Sequence, residues 1–468
     1  MTTGSPAVDK DRLPTDATTT RRQRWLARWR AGAVPIETVL ATQPPSAVAT
    51  IALLTIWCLV IALGRVWGLL LEAQRVAITL YVPPILGAIR EDFGPRFLIP
   101  LAVGFAGVFG LPRLIARLRW RGAVLVATGA TLLWWLVLAR IDPDGGLTRG
   151  LEWWMFEQAA GGAARDPLGY LRGFTDALPG YSVQVRGHPP GLPMLLGGLD
   201  RIGLKGPDWA AVVVLAIAAS GIPAVLLTIR HVASEHAARM AMPFLVLAPT
   251  AAWFATSYDA MFTGIGAWFV LCLVLAAGGN ARSRTMLCIA GGFLAAVLIH
   301  FSYGMVLMGA VALVALVARR AWFVVALTTV AALVFTAALV PFGFWWISGL
   351  QATIHEYHTL GVVRPYNYFV FNNVAAWFLT IGPATLVGLS RLRDPKLWLL
   401  VGGGLLAVVT ANLSGLSEGE VERIWLPFTV WVLPAGAALS GRGRATTGWL
   451  ALQVLSTLGL AVVVATYW

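Results

Sequence analysis

Charged residues are scarce in this chain, and lysine is scarcer still. Only 12% of the 468 residues are charged and 58% are hydrophobic, whereas soluble globular proteins carry about 25% charged residues. Lysine occurs only at positions 10, 205 and 396, against a total of 35 basic residues. This composition excludes an ordinary water-soluble domain.

Cysteine is almost absent as well. The three cysteines, Cys58, Cys272 and Cys288, all lie inside apolar runs, so neither a disulfide framework nor a thiolate metal site is predicted. A net charge of +13 would suggest nucleic acid in a soluble protein. Here the arginines occupy short segments between apolar runs, where they act as topology signals, so no nucleic-acid partner is expected.

Long apolar runs are what the chain has in abundance. Each run, of about 17 to 22 residues, is long enough to cross a hydrocarbon core as a helix. They predict an all-α polytopic membrane bundle with about 13 transmembrane helices. The predicted spans are residues 46–64, 97–115, 122–139, 208–229, 239–256, 260–277, 286–302, 303–318, 322–342, 370–389, 396–412, 424–440 and 447–467.

Residues 1–45 are polar and rich in Thr, Pro and Arg. The first apolar run starts too late for a cleavable signal peptide, so this segment is predicted to be a cytoplasmic basic tail. Residues 21–30 interleave arginines with Trp25, Leu26 and Trp29. That pattern is typical both of an amphipathic helix on an anionic leaflet and of a stop-transfer charge cluster.

Arginine placement orients the bundle. With the N-terminus inside, every predicted inner loop carries arginine, as the positive-inside rule requires. These arginines are Arg117, Arg119, Arg121, Arg230, Arg239, Arg282, Arg284, Arg319, Arg320, Arg391, Arg393, Arg442 and Arg444. The expected location is the plasma membrane, with an extracytoplasmic active face.

Residues 189–203 contain two early prolines and end near Asp200 and Arg201. Their apolar core is too short to cross the bilayer, and a crossing there would move the downstream arginines outside. Residues 140–207 are therefore predicted to form one long outer loop with interfacial helices. Beyond the basic tail, residues 46–468 are predicted to form a single membrane domain. It comprises the N-terminal spans in 46–139, the outer loop 140–207, the spans in 208–320 and the C-terminal spans in 321–468.

This topology gathers acids and several arginines on the outer face. The acids are Asp142, Asp144, Glu152, Glu157, Asp166, Asp176, Asp259, Glu356, Glu418, Glu420 and Glu422, and the arginines are Arg149, Arg186, Arg364 and Arg423. Asp259 stands between two apolar spans with almost no loop, where a carboxylate is costly and hence a functional candidate. Helix capping is the competing interpretation.

Three motifs in the long loop carry a resemblance: LEWWMF (151–156), DPLGY (166–170) and VRGHPPG (185–191). GPDW (206–209) and SYDA (257–260) follow in the same order. Over residues 130–310 the chain resembles the GT-C superfamily of glycosyltransferases, in particular its protein O-mannosyltransferase and lipid A aminoarabinose transferase branches. There, an early outer loop carries a carboxylate at a helix start, followed by a His-Pro-Pro or Lys-Pro-Pro segment.

Two features depart from that pattern. Extra spans precede the long loop, which implies an N-terminal extension, and the family's Asp-Glu pair is replaced by Leu151-Glu152. The resemblance implies a catalytic carboxylate, ranked as Glu152, then Asp144, then Asp142, with Asp259 as a further catalytic candidate. Arg186 and His188 adjoin the interfacial helix, and Arg364, Arg423 and Glu420 complete the expected substrate-binding set.

The resemblance implies a glycosyltransferase that moves a sugar from a polyprenyl-phosphate-linked donor to an acceptor hydroxyl outside the cytoplasm. A carboxylate would remove the acceptor proton, and arginines would neutralise the departing phosphate. The expected partners are that donor, a glycan or glycolipid acceptor and membrane lipid, in cell-envelope glycan synthesis.

Two other classes of function remain open. Many spans with a few outer charges also suit a lipid or glycolipid transporter, although no repeated halves are visible. A non-catalytic scaffold is the third class. No cofactor is predicted, because His355 and His358 lack a third ligand at a known spacing; a divalent cation stays open.

Overall fold

A computed structural model describes residues 47–90, 94–142, 146–255, 257–359, 364–441 and 443–465. The predicted basic tail, with its residues 21–30, and the candidate Asp144 lie outside these described ranges. Helices dominate them, and the strands comprise two residues each. The prediction of an all-α membrane bundle is confirmed.

Helix α1 (Ala47–Ala73) exposes most of its apolar surface, as a lipid-facing helix does. Gly64 and Gly68 are its buried residues. After α1, strands β1 (Tyr81–Val82) and β2 (Ile85–Leu86) form a hairpin. Strand β3 (Ala88–Ile89) pairs with β4 (Val464–Ala465) at the other end of the chain, so the segment after α1 packs beside the end of the last helix.

Helices α2 (Leu98–Arg117) and α3 (Trp120–Ala139) form an antiparallel pair that leads into the long loop. That loop folds into four helices: α4 (Trp153–Arg165), α5 (Pro167–Ala177), α6 (Val183–Arg186) and α7 (Gly191–Arg201). The 11 residues of α7 fall well short of the roughly 20 that a crossing needs. Its placement along the membrane interface stays a prediction.

The remaining helices build the bundle. They are α8 (Pro207–Val232), α9 (Glu235–Val246), α10 (Ala251–Phe254), α11 (Tyr258–Gly278), α12 (Ala281–Phe301), α13 (Met308–Ala318), α14 (Trp322–Ala337), α15 (Trp346–Thr359), α16 (Tyr366–Arg391), α17 (Leu397–Leu413), α18 (Val421–Ile424), α19 (Leu426–Thr429) and α20 (Arg444–Val463).

The count of 13 spans is not confirmed. Within the described ranges, nine helices are long and apolar enough to cross a membrane, and three shorter apolar helices occupy Tyr303–Ala318, Leu397–Leu413 and Leu426–Leu439. The predicted span 239–256 is divided between α9 and α10. Pro249 lies in the break between them, where proline removes a backbone donor, whereas Pro243 is accommodated inside α9.

Helices α8 and α11 pack in parallel at the centre. Gly264 lies against Ile217 and Ala218, while Gly221 lies against Gly264 and Ala267, so the contacts advance in the same direction along both helices. A Cβ on Gly264 would stand 2.2 Å from the Ile217 carbonyl oxygen. Small residues permit this close approach, as is common between membrane helices.

Two of the predicted inner arginines, Arg230 and Arg239, lie at the same end of the bundle. Arg239 donates to the carbonyl oxygens of Ile115 and Leu118 at 2.7 and 3.0 Å. The Arg230 guanidinium lies 4.7 Å from the ring centroid of Trp120. Since α8 ends near Arg230 and runs parallel to α11, the N-terminus of α11, with Asp259, lies toward the opposite end.

Candidate functional site

Arg423 is the centre of a buried charge cluster. Its Nη1 donates to Asp259 Oδ2 at 2.8 Å, and its Nη2 donates to Glu420 Oε2 at 2.5 Å. The side chains of Arg423 and Asp259 are only 10% and 6% exposed. A buried charge is tolerated when it is paired and hydrogen-bonded, and here two carboxylates supply that pairing.

Local backbone geometry brings these groups together. Asp259 lies in the first turn of α11, where the helix dipole favours a negative charge. Gly419, with φ of 93°, and Glu420, with φ of 59°, make the turn that leads into α18. This turn directs both Glu420 and Arg423 toward the start of α11.

Glu152 joins the same cluster from the long loop. It connects a 3-10 turn to α4 with φ of 44°, a left-handed conformation that is unusual for glutamate. Its Oε2 accepts a hydrogen bond from Gln184 Nε2 at 3.0 Å. Backbone strain of this kind concentrates at functional sites, and both Glu152 and Glu420 show it.

Burial raises the pKa of Glu152 to about 7, although the nearby Arg423 guanidinium opposes the shift. The carboxylates of Glu420 and Asp259 raise it further. A carboxyl group with this pKa exchanges its proton near neutral pH, which is the property that a general base requires. Glu152 is therefore chemically distinct from an ordinary surface glutamate.

His188 faces the same charges. Its Nδ1 lies 2.7 Å from the Gln184 carbonyl oxygen, and because a carbonyl only accepts, we assign the proton to Nδ1. Burial lowers the pKa of His188, although this hydrogen bond and the Asp259 charge oppose that effect. The neutral ring then offers Nε2 as an acceptor.

Sequence reasoning missed two polar residues in this region. Gln184 contacts Glu152 with its side chain and His188 with its backbone. Tyr258 is buried, its hydroxyl has no hydrogen-bond partner within the described ranges, and it interacts electrostatically with Glu152. Two sequence features could have indicated them. Gln184 stands four residues before His188, a helical spacing that places both on one face, and Tyr258 is part of the SYDA motif.

Glu422 behaves differently from its neighbours. It is fully buried, and its Oε1 accepts a hydrogen bond from the Leu86 amide at 3.4 Å. Burial raises the pKa of Glu422 to about 8, so the carboxyl keeps its proton at neutral pH. It anchors the β1–β2 hairpin, whereas Glu420 supplies charge to Arg423.

The other candidates lie in separate clusters. Asp142 pairs with Arg149 at 2.5 Å, and Arg186 with Glu356 at 3.8 Å. Arg364 donates to the Glu418 carbonyl oxygen and to Thr79 Oγ1. Asp142 and Arg364 therefore have structural partners of their own, while Arg186 remains two residues from His188. These geometries leave the catalytic and binding roles as predictions.

Metal ligation has no built site in the parts of the chain that the structure describes. No group of three His, Cys, Asp or Glu side chains there is arranged to hold a metal ion. His355 and His358 both lie on α15. Carboxylates are the hard-cation ligands of proteins, and those at the cluster centre already accept hydrogen bonds from Arg423.

Fold and site together define a polytopic helical membrane protein with a carboxylate–arginine cluster beneath a helical loop. No known protein family and no curated protein matches the chain. Two solved structures of ArnT from Cupriavidus metallidurans are similar. The apo structure has 16% identity and a TM-score of 0.44, and the structure bound to undecaprenyl phosphate has 19% and 0.45.

Each similarity covers 70% of this chain and 62% of ArnT, less than two thirds of its length. Similarity at this level assigns no residue roles. The roles proposed below rest on the geometry of the cluster and on the sequence motifs.

Proposed function

We propose that the chain transfers a sugar from a polyprenyl-phosphate donor to an acceptor hydroxyl. The observation that carries this proposal is that Glu152, a carboxyl group with a pKa of about 7, lies close to a buried cation, Arg423. They come from segments far apart in sequence, and Glu152 lies in the loop that carries the GT-C-like motifs. A base and a phosphate-binding cation are the two groups that this transfer needs.

The proposed step is a single displacement. The ionised Glu152 carboxylate takes the proton of the acceptor hydroxyl as its oxygen bonds to the anomeric carbon. The bond from that carbon to the phosphate oxygen breaks, and its electron pair leaves with the lipid phosphate. General-base assistance of this kind contributes about 10²- to 10⁴-fold.

Arg423 is assigned to the departing phosphate. A guanidinium stays protonated at any relevant pH and donates in a fixed fork, and Asp259 and Glu420 hold that fork in place. In this assignment Asp259 is a positioning residue, because it acts through Arg423. Arg186 supplies a second cation near His188.

The charge balance of the cluster also suits a sugar-transfer transition state. Three carboxylates, from Glu152, Asp259 and Glu420, surround one guanidinium, so the ionised cluster carries a formal excess of negative charge. Positive charge develops on a sugar ring as its glycosidic bond breaks. The carboxylates stabilise that charge, while Tyr258 and the Nε2 of His188 are available to bind sugar hydroxyl groups.

A reconstituted transfer assay tests the proposal. Purified protein in liposomes would receive a panel of labelled polyprenyl-phosphate sugars and an extract of envelope glycolipids as acceptors. The proposal predicts loss of the donor and appearance of label in a new glycolipid. The transporter alternative predicts movement of the intact donor between leaflets without cleavage. Location in the plasma membrane and a role in envelope glycan synthesis belong to the same proposal.

A further inference from the structure

A polar cavity lies apart from the Arg423 cluster. It has a volume of about 50 Å³ and is bounded by the end of α3, the residue after β3, the helix α10 and the end of α20. Its polar lining comes from Arg90, Asp142, Arg149 and Trp253, and Leu138 and Leu460 contribute apolar walls. Cations beside apolar helix surfaces are the chemistry of a lipid headgroup site.

Among the described residues that line this cavity, the charges do not cancel. Asp142 compensates Arg149 at 2.5 Å. The side chain of Arg90 has no hydrogen bond or ion pair with any described residue, and its Nε atom is buried. One positive charge is therefore left without a counter-charge among the described residues that line the cavity.

Trp253 provides a second, independent observation. The residue is 1% exposed, and its indole Nε1 is buried without a hydrogen-bond partner within the described ranges. A buried donor left unpaired is costly, so native structures rarely keep one without a ligand or water. This donor and the Arg90 guanidinium both lack an acceptor among the described residues, whereas Arg149 already donates to Asp142.

We propose that this cavity binds a single phosphate group. A phosphate has several acceptor oxygens in a tetrahedral arrangement, which arginine forks and an N–H group satisfy together. At about 50 Å³ the cavity has room for a group of this size. The site is separate from the proposed transfer reaction and binds its ligand through Arg90, Arg149 and Trp253.

Thermal unfolding of the full-length protein in neutral detergent tests this site. The probe is dioctanoyl phosphatidic acid, compared with dioctanoylglycerol, which has the same acyl chains without phosphate, and with sodium phosphate. Because a ligand stabilises the state that binds it, phosphatidic acid is expected to raise the unfolding midpoint with concentration. Dioctanoylglycerol is expected to have no such effect.

Arg90→Met removes the uncompensated charge and keeps a side chain of similar length. It is expected to weaken the apparent affinity for phosphatidic acid about tenfold, as loss of a charge-assisted hydrogen bond does. Arg96→Met is the matched control, because Arg96 is exposed in the same segment; its affinity is expected to equal that of the wild type. Trp253→Phe, which removes the indole N–H donor together with the pyrrole ring and keeps an aromatic side chain, is expected to weaken affinity about fivefold.

Protection by the phosphatidic acid alone would assign the phosphate to a membrane lipid, and equal protection by sodium phosphate would assign it to the free ion. Equal affinities of the Arg90→Met and Arg96→Met proteins would overturn the proposal, as would the absence of protection by either phosphate compound. If Arg90→Met fails to fold, the result for Trp253→Phe decides.

Discussion

Arg423 and Asp259, 164 positions apart in sequence, are joined by a hydrogen-bonded ion pair of 2.8 Å. The pair ties the short helix α18 to the beginning of α11. Neither charge could remain buried alone, because removing one partner of such a pair costs about 3–5 kcal/mol. Binding of the departing lipid phosphate by Arg423 therefore depends on Asp259, a residue from another part of the bundle.

Asp259→Asn is expected to leave the protein inserted but to lower transfer about 10- to 100-fold, the effect of losing one charge-assisted hydrogen bond. The amide retains an acceptor oxygen but not the charge that holds Arg423. The measurement is the initial transfer rate together with donor affinity, and donor affinity should fall. The control is Asp176→Asn, since Asp176 is exposed in the long loop. Equal rates for both variants would reassign Asp259 to helix capping.

The fold and the candidate site were not equally predictable. Apolar runs specify membrane helices through length and hydropathy alone, so most long spans were identified to within about five residues, although α1 continues nine residues past the predicted end at residue 64. The division of residues 239–256 into two helices was not predicted, because the apolar pattern continues through Pro243 and Pro249. Residue type likewise marked Glu152, Asp259 and Arg423 as candidates.

Which acid meets which arginine depends on packing between distant segments. The sequence placed Glu420 in the expected substrate-binding set, but burial was not visible in it. The structure separates Glu420, which accepts a hydrogen bond from Arg423, from buried Glu422, which accepts one from the Leu86 amide. Asp142 and Glu152 were rivals in sequence, and only the folded loop pairs Asp142 with Arg149. Such differences arise from burial, which residue type does not encode.

Tyr258→Phe is expected to lower the transfer rate about tenfold, because it removes the one hydroxyl donor that Tyr258 offers to a sugar. Its folding stability should be unchanged or slightly higher, since the lost hydroxyl group is buried without a partner. Tyr170→Phe is the matched control, because the Tyr170 hydroxyl is also buried and unpartnered. A structural role would make the two substitutions equivalent in transfer assays.

Gly264→Ala is expected to destabilise the bundle by about 1–3 kcal/mol, as overpacking does. The new methyl group would meet the backbone of Ile217 on α8, which cannot rotate away. Gly278→Ala, at the other end of α11, has no atom within 4 Å of its added Cβ. Thermal unfolding of both variants should show a lower midpoint for Gly264→Ala alone; equal midpoints would contradict the close α8–α11 contact.

Orientation of the bundle requires a separate measurement. In a variant whose three cysteines are replaced by alanine, single cysteines would be introduced as Asp176→Cys and Arg282→Cys. We expect an impermeant thiol reagent to label position 176 in intact cells and position 282 only after permeabilisation. The reverse pattern would place the proposed transfer site on the cytoplasmic side.

Glu152→Gln is expected to have opposite effects on stability and transfer. Because folding raises the pKa of Glu152 from 4.5 to about 7, the folded state favours its neutral form. The stability that this residue contributes is full below pH 4.5 and is lost as the pH rises through about 7. Glutamine remains neutral, so the unfolding midpoint of Glu152→Gln should exceed that of the wild type at pH 8, with little difference at pH 4.5.

The pH dependence of kcat/KM for transfer tests the role of Glu152 most directly. The ionised carboxylate is the active form, so the wild-type rate should rise with pH through a midpoint of about 7. Glu152→Gln should lose most of the transfer rate, and its remaining rate should no longer rise with pH near 7. The variant should still bind the polyprenyl-phosphate donor. A Glu152→Gln protein that transfers sugar at the wild-type rate with the same pH profile would contradict the proposed mechanism.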